Sequence, residues 1–134
     1  MRIGYTARMS RPLLISVIEI GGYPNFRPLY EKAGFEVLME NRMRKAMSSI
    51  KRLKPRVIVA EFNFQSDFRD RTSSLESMMS VVERLPDTRV LVFYEQEYSH
   101  QFQRLLAVHS FHRTFTFPIP EDELYACVRE LGEA

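Results

Sequence analysis

Two glutamates close apolar runs in this chain: Glu19 ends PLLISVIE and Glu61 ends RVIVAE. Open α/β sheets gather ligands beyond the carboxyl ends of their strands, so acids in these places are candidates for chemistry. Two carboxylates at adjacent strand ends could keep a remnant divalent-cation site, although hard cations usually draw on more oxygen ligands. The plainer reading is two solvated acids at a sheet edge. Gly21-Gly22 follows a strand and precedes a helix, as phosphate loops do, but neither a G-x-G-x-x-G nor a P-loop pattern is present, so a tight turn is expected. His100, His109 and His112 come near one another without an accompanying cysteine and read as surface or loop histidines. Cys127 falls on an apolar helical stripe, where a thiol is inert. No Ser-His-Asp or Cys-His arrangement is apparent. The expectation is no catalytic residue, no metal site and no cofactor.

Two further groups could act by contact. Phe62, Phe64 and Phe68 surround a loop after the third apolar run, with Tyr94 and Tyr98 expected nearby. These rings form either an aromatic surface for a partner or the filling of a pocket that has lost its polar contents. The second group is basic. Arg44, Lys45, Ser48, Lys51 and Arg52 share the outer face of one predicted helix. Such a stripe can meet nucleic acid, an anionic membrane or an acidic partner, or it can be a solvated face.

The elements that must position these residues follow from the spacing. Pro12 to Ile20 is nearly continuous in apolar residues, as in a strand covered on both faces. Gly21-Gly22 stops it, and a short helix bearing Phe26, Leu29, Tyr30 and Ala33 ends at Gly34. Pro28 suits its first turn. Phe35 to Glu40 is a half-polar strand with Phe35, Val37 and Met39 on one face. Asn41 is the expected N-cap of a helix whose stripe is Met43, Ala46, Met47, Ile50 and Leu53; Pro55 ends it. Arg56 to Phe62 is the third strand. Ser73 and Glu76 have capping-box spacing before a helix with Leu75, Met78, Met79, Val82 and Leu85 inward. Thr88 to Tyr94 is the fourth strand. Ser99 is expected to cap a helix carrying Phe102, Leu105, Leu106 and His109. Phe111 to Phe117 is the fifth strand. The acid-rich start Glu121-Asp122-Glu123 suits a helix N-terminus, and Leu124, Cys127, Val128 and Leu131 make its buried stripe. Strands alternating with helices in this way predict a three-layer α/β fold: a five-stranded parallel sheet between helices, with flavodoxin-like order 2-1-3-4-5.

Composition fits that plan. The chain has 134 residues, 45% hydrophobic and 27% charged, which suits one layered domain and argues against a disordered or low-complexity chain. One domain is expected over residues 12–134, preceded by a polar arm over residues 1–11. No apolar run approaches the roughly 18 residues of a membrane span. The first eleven residues lack the apolar core of a secretory leader. With a single cysteine, these features point to a cytoplasmic protein with no membrane partner. The net charge is only +2 but is unevenly placed. From Arg42 to Arg56 there are seven basic residues and no acid, and Met1 to Arg11 adds three basic residues. The other positions hold nine basic and seventeen acidic residues, a balance of −8. This excludes a uniformly basic nucleic-acid coat and leaves room for a local patch.

Several strings resemble the receiver (CheY-like) domain of bacterial response regulators: GFEV at Gly34 to Val37, PRVIVAEFN at Pro55 to Asn63, TRVLVFY at Thr88 to Tyr94 and FTFPI at Phe115 to Ile119. The resemblance spans about Pro12 to Leu131. It implies a phosphoacceptor position at Glu61, where the family has aspartate. It implies a switch hydroxyl at Tyr94, a lysine at Phe117, and an acidic pair reduced to Glu19. Phosphoryl transfer to a carboxylate needs a metal against the developing charge and a lysine for the phosphoryl oxygens. Glutamate also reaches one methylene too far, and a misplacement near 1 Å can cost about a hundredfold. The chain therefore resembles a degenerate receiver: a phosphorylation-independent, non-enzymatic signalling module that binds a protein partner. Two rivals stand beside it. One is a receiver still phosphorylated at Glu61 or a neighbour such as Asp67. The other is a small nucleic-acid-binding protein using the basic helix, although no helix-turn-helix, zinc finger or other reader is present. The resemblance also implies a docking or homodimer face, for which Tyr98, Phe102, Arg104, Phe111, Arg113 and Phe115 are the candidates, with Glu121, Asp122 and Glu123 as complementary charges.

Overall fold

Strand β1 (Leu13–Val17) is the short central product of the first apolar run, and it pairs in parallel with β2 (Glu36–Glu40) on one side and β3 (Val57–Glu61) on the other. β4 (Arg89–Tyr94) and β5 (Arg113–Thr116) complete a fully parallel sheet of order β2-β1-β3-β4-β5. The helices are α1 (Arg27–Lys32), α2 (Met43–Leu53), α3 (Ser74–Val82), α4 (Ser99–Leu106) and α5 (Glu121–Glu133). This is a computed structural model, and it describes residues 11–19, 21–63 and 74–133. The expected arm over residues 1–11, apart from Arg11, lies outside the described residues, as do Ile20, Phe64, Asp67, Phe68 and the capping serine Ser73.

Alternation along the strands builds two cores, because successive side chains leave opposite faces of a sheet. Leu14, Val57, Val59, Leu91, Phe93 and Phe115 face α1 and α5, where they meet Tyr30, Leu124, Val128 and Leu131. Ile15, Val17, Ile58, Ala60, Val90 and Val92 face α2, α3 and α4, where they meet Ala46, Ile50, Leu75, Met78 and Phe102. Both faces of the sheet are thus covered by helices, as a parallel sheet requires. The stripe Leu124, Cys127, Val128 and Leu131 is buried as its spacing predicts.

The turn after β1 holds Gly21 and Gly22, both at φ +90°, a conformation that L side chains rarely adopt. α1 carries Pro28 in its first turn, where the absent N–H costs no helical bond. α2 ends on Lys54 in the left-handed region, whose N–H donates to the Ile50 carbonyl, and Pro55 follows.

Several expectations change in detail. The strands are shorter than their apolar runs: Phe111 precedes β5 and Phe117 follows it. Asn41 does not cap α2. The N-cap residue is Arg42, and the capping acceptor comes from across the sheet: Glu19 Oε2 accepts from the Met43 N–H at 2.9 Å. Ser99 is the first residue of α4 rather than its cap, because a 3₁₀ turn at Gln96–Tyr98 leads directly into the helix. Met39 does not join Phe35 and Val37 inside. It is exposed, while Glu40 is buried and accepts from Ser49 Oγ at 3.3 Å. The six-residue α1 is too short to cover the far end of the β2 edge. Leu53 and Leu106, expected on buried stripes, are exposed, and His109 lies beyond the end of α4.

Candidate functional site

The carboxyl ends of the strands carry the residues singled out by type. Glu61 is the last residue of β3 and only 5% exposed. It sits there because β3 is apolar along its whole length and covered on both faces, so the strand carries its final side chain inward with it. Tyr94 ends β4 half-buried, and Phe117 lies just past β5, 43% exposed. Glu19 lies two residues beyond β1, and its carboxylate is engaged by the amino end of α2. That position suits an acid, because the first turn of a helix presents unpaired N–H groups and the positive end of the dipole. α2 has no acid of its own in its first turn. Glu19 therefore works as a long-range helix cap. Among the described residues, no group of three or more His, Cys, Asp or Glu side chains is placed to hold a metal.

What does assemble around the strand ends is aromatic. Tyr23, in the loop after Gly21-Gly22, packs 5.3 Å from Phe93 and meets Phe117 edge-on at 5.6 Å. Phe93 also meets Phe26 at 5.9 Å and Phe115 at 6.2 Å, both edge-to-face. Such tilted contacts are the preferred geometry of ring quadrupoles. Burial holds the Tyr23 hydroxyl in its neutral form well above the ordinary tyrosine range, and the charges of Glu61 and Glu95 add to that effect. Tyr23 is therefore within electrostatic reach of Glu61. Spacing did not single out Tyr23. The signal that could have found it is a lone aromatic placed directly after a glycine turn at the ligand end of the sheet.

A second ring stack lies on the opposite face. Tyr94 stacks on Phe102 at 4.6 Å, Phe102 meets Phe62 at 5.1 Å, and Phe111 stacks on Phe102 at 5.9 Å. Phe62 is buried, so the rings placed here fill the molecule rather than offer a wholly open surface.

The expected docking face is narrowed by burial. Phe102 is 1% exposed and Phe115 3%, so both belong to the core and cannot meet a partner directly. Arg104 is exposed, and Tyr98 and Phe111 are half-buried. Arg113 is exposed but engaged within the chain: it reaches Glu123 Oε1 at 2.8 Å and lies 4.8 Å over the Phe115 ring. Cys127 is buried beneath it, and burial raises its thiol above the ordinary range, which keeps it un-ionised. His109 Nδ1 approaches Glu83 Oε2 at 3.5 Å. On α2, Arg44, Lys45, Lys51 and Arg52 are all exposed. No helix among the described residues is long and apolar enough to cross a membrane.

Chemically, the described strand ends offer two buried acids, Glu61 closing β3 and Glu40 closing β2, and a set of packed rings.

No protein-family model and no curated protein matches the chain. Solved structures do. The signal receiver domain of an HD-domain-containing protein from Pseudomonas fluorescens Pf-5 superposes with a TM-score of 0.71 at 10% identity, covering 92% of this chain and 95% of that one. A response-regulator receiver domain from Clostridium thermocellum gives 0.69 at 13% identity, covering 90% and 94%. The Vibrio cholerae chemotaxis protein CheY4 gives 0.68 at 17% identity, covering 91% and 99%. A parallel sheet of order 2-1-3-4-5 between two helical layers, matched over nine tenths of its length by such structures, has the fold of a response-regulator receiver domain.

Proposed function

We propose that this chain is a pseudo-receiver: a signalling module that keeps the receiver fold, carries out no phosphoryl transfer and acts by binding a protein partner. The observation that carries the reading is the edge contact between Tyr23 and Phe117 at the same strand ends as Glu61. An aromatic ring stands where the resemblance asks for a lysine, and a second ring packs against it. Three further features support it. Glu61 replaces the expected aspartate and is buried. Tyr94 is held in a ring stack with Phe102, so its hydroxyl is not the small mobile group that reads out a phosphoryl oxygen. Glu19 is occupied in capping α2. The test is intact-mass measurement after incubation with magnesium and acetyl phosphate. The expected result is an unchanged mass, and a stoichiometric acid-labile adduct would overturn the reading.

The same reading includes association through the region of α4, β5 and α5. Tyr98, Arg104, Phe111 and Arg113 are the members of that face accessible to a second copy. Arg113 already has Glu123 as its partner, so Arg104 is the cleaner probe. Light scattering at high micromolar concentration is expected to show a dimer for the wild type and a monomer for Arg104→Glu. A monomeric wild type would reject the homodimer.

A further inference from the structure

The outer face of α2 is a strongly charged surface among the described residues that the pseudo-receiver reading leaves without a task. Arg42, Arg44, Lys45, Lys51, Arg52 and Lys54 are all exposed. None of them takes part in an ion pair among the described residues. Elsewhere Arg27 has Glu31, Arg113 has Glu123 and Arg129 has Glu133, while Arg84, Arg89 and Arg104 are exposed without an ion pair among the described residues but lie apart along the chain instead of on one face. The placement on α2 also runs against the helix dipole at one end. Arg42, Arg44 and Lys45 crowd the amino terminus, where acids are favoured. Leu53, 40% exposed, adds an apolar contact at the carboxyl end.

We propose that this face is a docking site for an acidic protein segment. The dimensions decide the class of partner. Eleven helical residues at about 1.5 Å each make a face about 16 Å long. That length matches about five residues of an extended chain at about 3.3 Å each. At a helix diameter of about 10–12 Å the face covers about 160–200 Å², well short of a nucleic-acid footprint, which is about 600–1,000 Å² even for a single module. A duplex would also overrun the patch onto a chain whose other positions, outside this segment and the first eleven residues, carry a balance of −8. A membrane is poorly matched too. The apolar stripe Met43, Ala46 and Ile50 is buried against the protein, so α2 has no apolar face to insert into lipid. A short acidic segment bearing one or two apolar side chains fits the length, the charge and the exposed Leu53.

The inference rests on the protein-binding reading, but the two fail separately, since a phosphoryl adduct would overturn that reading without altering a peptide titration. The test uses the whole chain and three probes: a fluorescein-labelled hexaglutamate peptide, a labelled 20-base-pair duplex, and vesicles of phosphatidylcholine with phosphatidylglycerol. Titrations are made at 25 and 150 mM salt. Two variants with equal loss of charge are compared. One is Arg44→Gln/Lys45→Gln/Lys51→Gln/Arg52→Gln on α2. The other is Lys32→Gln/Arg84→Gln/Arg89→Gln/Arg129→Gln elsewhere. Circular dichroism melts confirm that both are folded. The expected result is peptide binding tighter than binding of the duplex or vesicles, weakened at least tenfold by the α2 set and less than twofold by the control set. No peptide binding at 25 mM salt, equal weakening by both sets, or tighter binding of the duplex or vesicles would each overturn the proposal.

Discussion

The carboxyl ends of the strands and the outer face of α2 treat charge in opposite ways. At the strand ends Glu61 is buried and aromatic rings pack beside it. On α2 six cations stand in solvent without an ion pair among the described residues. The first region closes over its acid with packed rings. The second has no counterpart among the strings that carry the resemblance, yet it keeps its charge open to partners. One region contributes packing to the fold, while the other leaves its charge in solvent, where a partner can reach it.

The largest test of the contrast removes the ring on which the closed region rests. Phe93→Ala takes away the common contact of Tyr23, Phe26 and Phe115. It should destabilise the fold by about 3–5 kcal/mol, as buried Phe→Ala changes do, read as a lowered midpoint in urea. The fourfold α2 variant should leave that midpoint within about 0.5 kcal/mol, since surface changes rarely exceed that. Equal losses would break the comparison.

The next test is pH. Burial raises both Tyr23 and Tyr30 above the ordinary tyrosine value of 10.0. The folded state therefore holds these protons more tightly than the unfolded chain. Their contribution is complete below the unfolded value and is lost as pH rises through about 10 toward the folded values. The buried Tyr30 should cost up to about 1.4 kcal/mol per pH unit above that point, and the half-buried Tyr23 less, because solvent screens it. Urea midpoints between pH 8 and 11 should fall for the wild type and fall less steeply for Tyr30→Phe. Parallel slopes would show that Tyr30 is not the titrating group.

A smaller effect joins the two regions. Glu19→Ala removes the cap on Met43 and should cost about 1 kcal/mol, in the range of lost helix caps. Glu19→Gln, which keeps an acceptor, should recover part of it. Hydrogen exchange should quicken first at the amino end of α2.

The smallest concerns the surface pair Arg113–Glu123, whose side chains are 45% and 60% exposed. Removing either partner should change stability by no more than about 1 kcal/mol, because solvent and salt screen exposed pairs. The two single changes in a double-mutant cycle should be nearly additive.

Much of the fold could be read from residue order. The continuous apolarity of Leu13–Val17 and Val57–Glu61 marks strands covered on both faces, and the 3.6-residue stripe of α5 marks its buried side. Less of the site could be read. Glu19, Glu61, Tyr94 and Phe117 were found by type and position, but their surroundings were not. Glu19 pairs with an N–H 24 residues away, and Tyr23 meets Phe93 and Phe117 from loops distant in sequence. Phe102 and Phe115 carry the aromatic character of an interface, yet they are core residues.

The sequence by itself determined the alternation of strands and helices, the glycine turn after β1, the presence of Glu61, Tyr94 and Phe117 at the strand ends, and the gathering of cations on α2. These depend on side-chain periodicity, on φ constraints and on residue identity, all of which are local. Tertiary structure alone decided which rings close the strand ends and which rings fill the core. It decided that Met39 faces outward while Glu40 turns inward to Ser49. It also decided that Glu19 caps a helix 24 residues further along the chain. Each of these outcomes depends on which segment of chain crosses above a given strand end. That is set by the lengths of α1 and the connecting loops and by the competition of distant groups for the same few hydrogen bonds, neither of which is written in the pattern of any single segment.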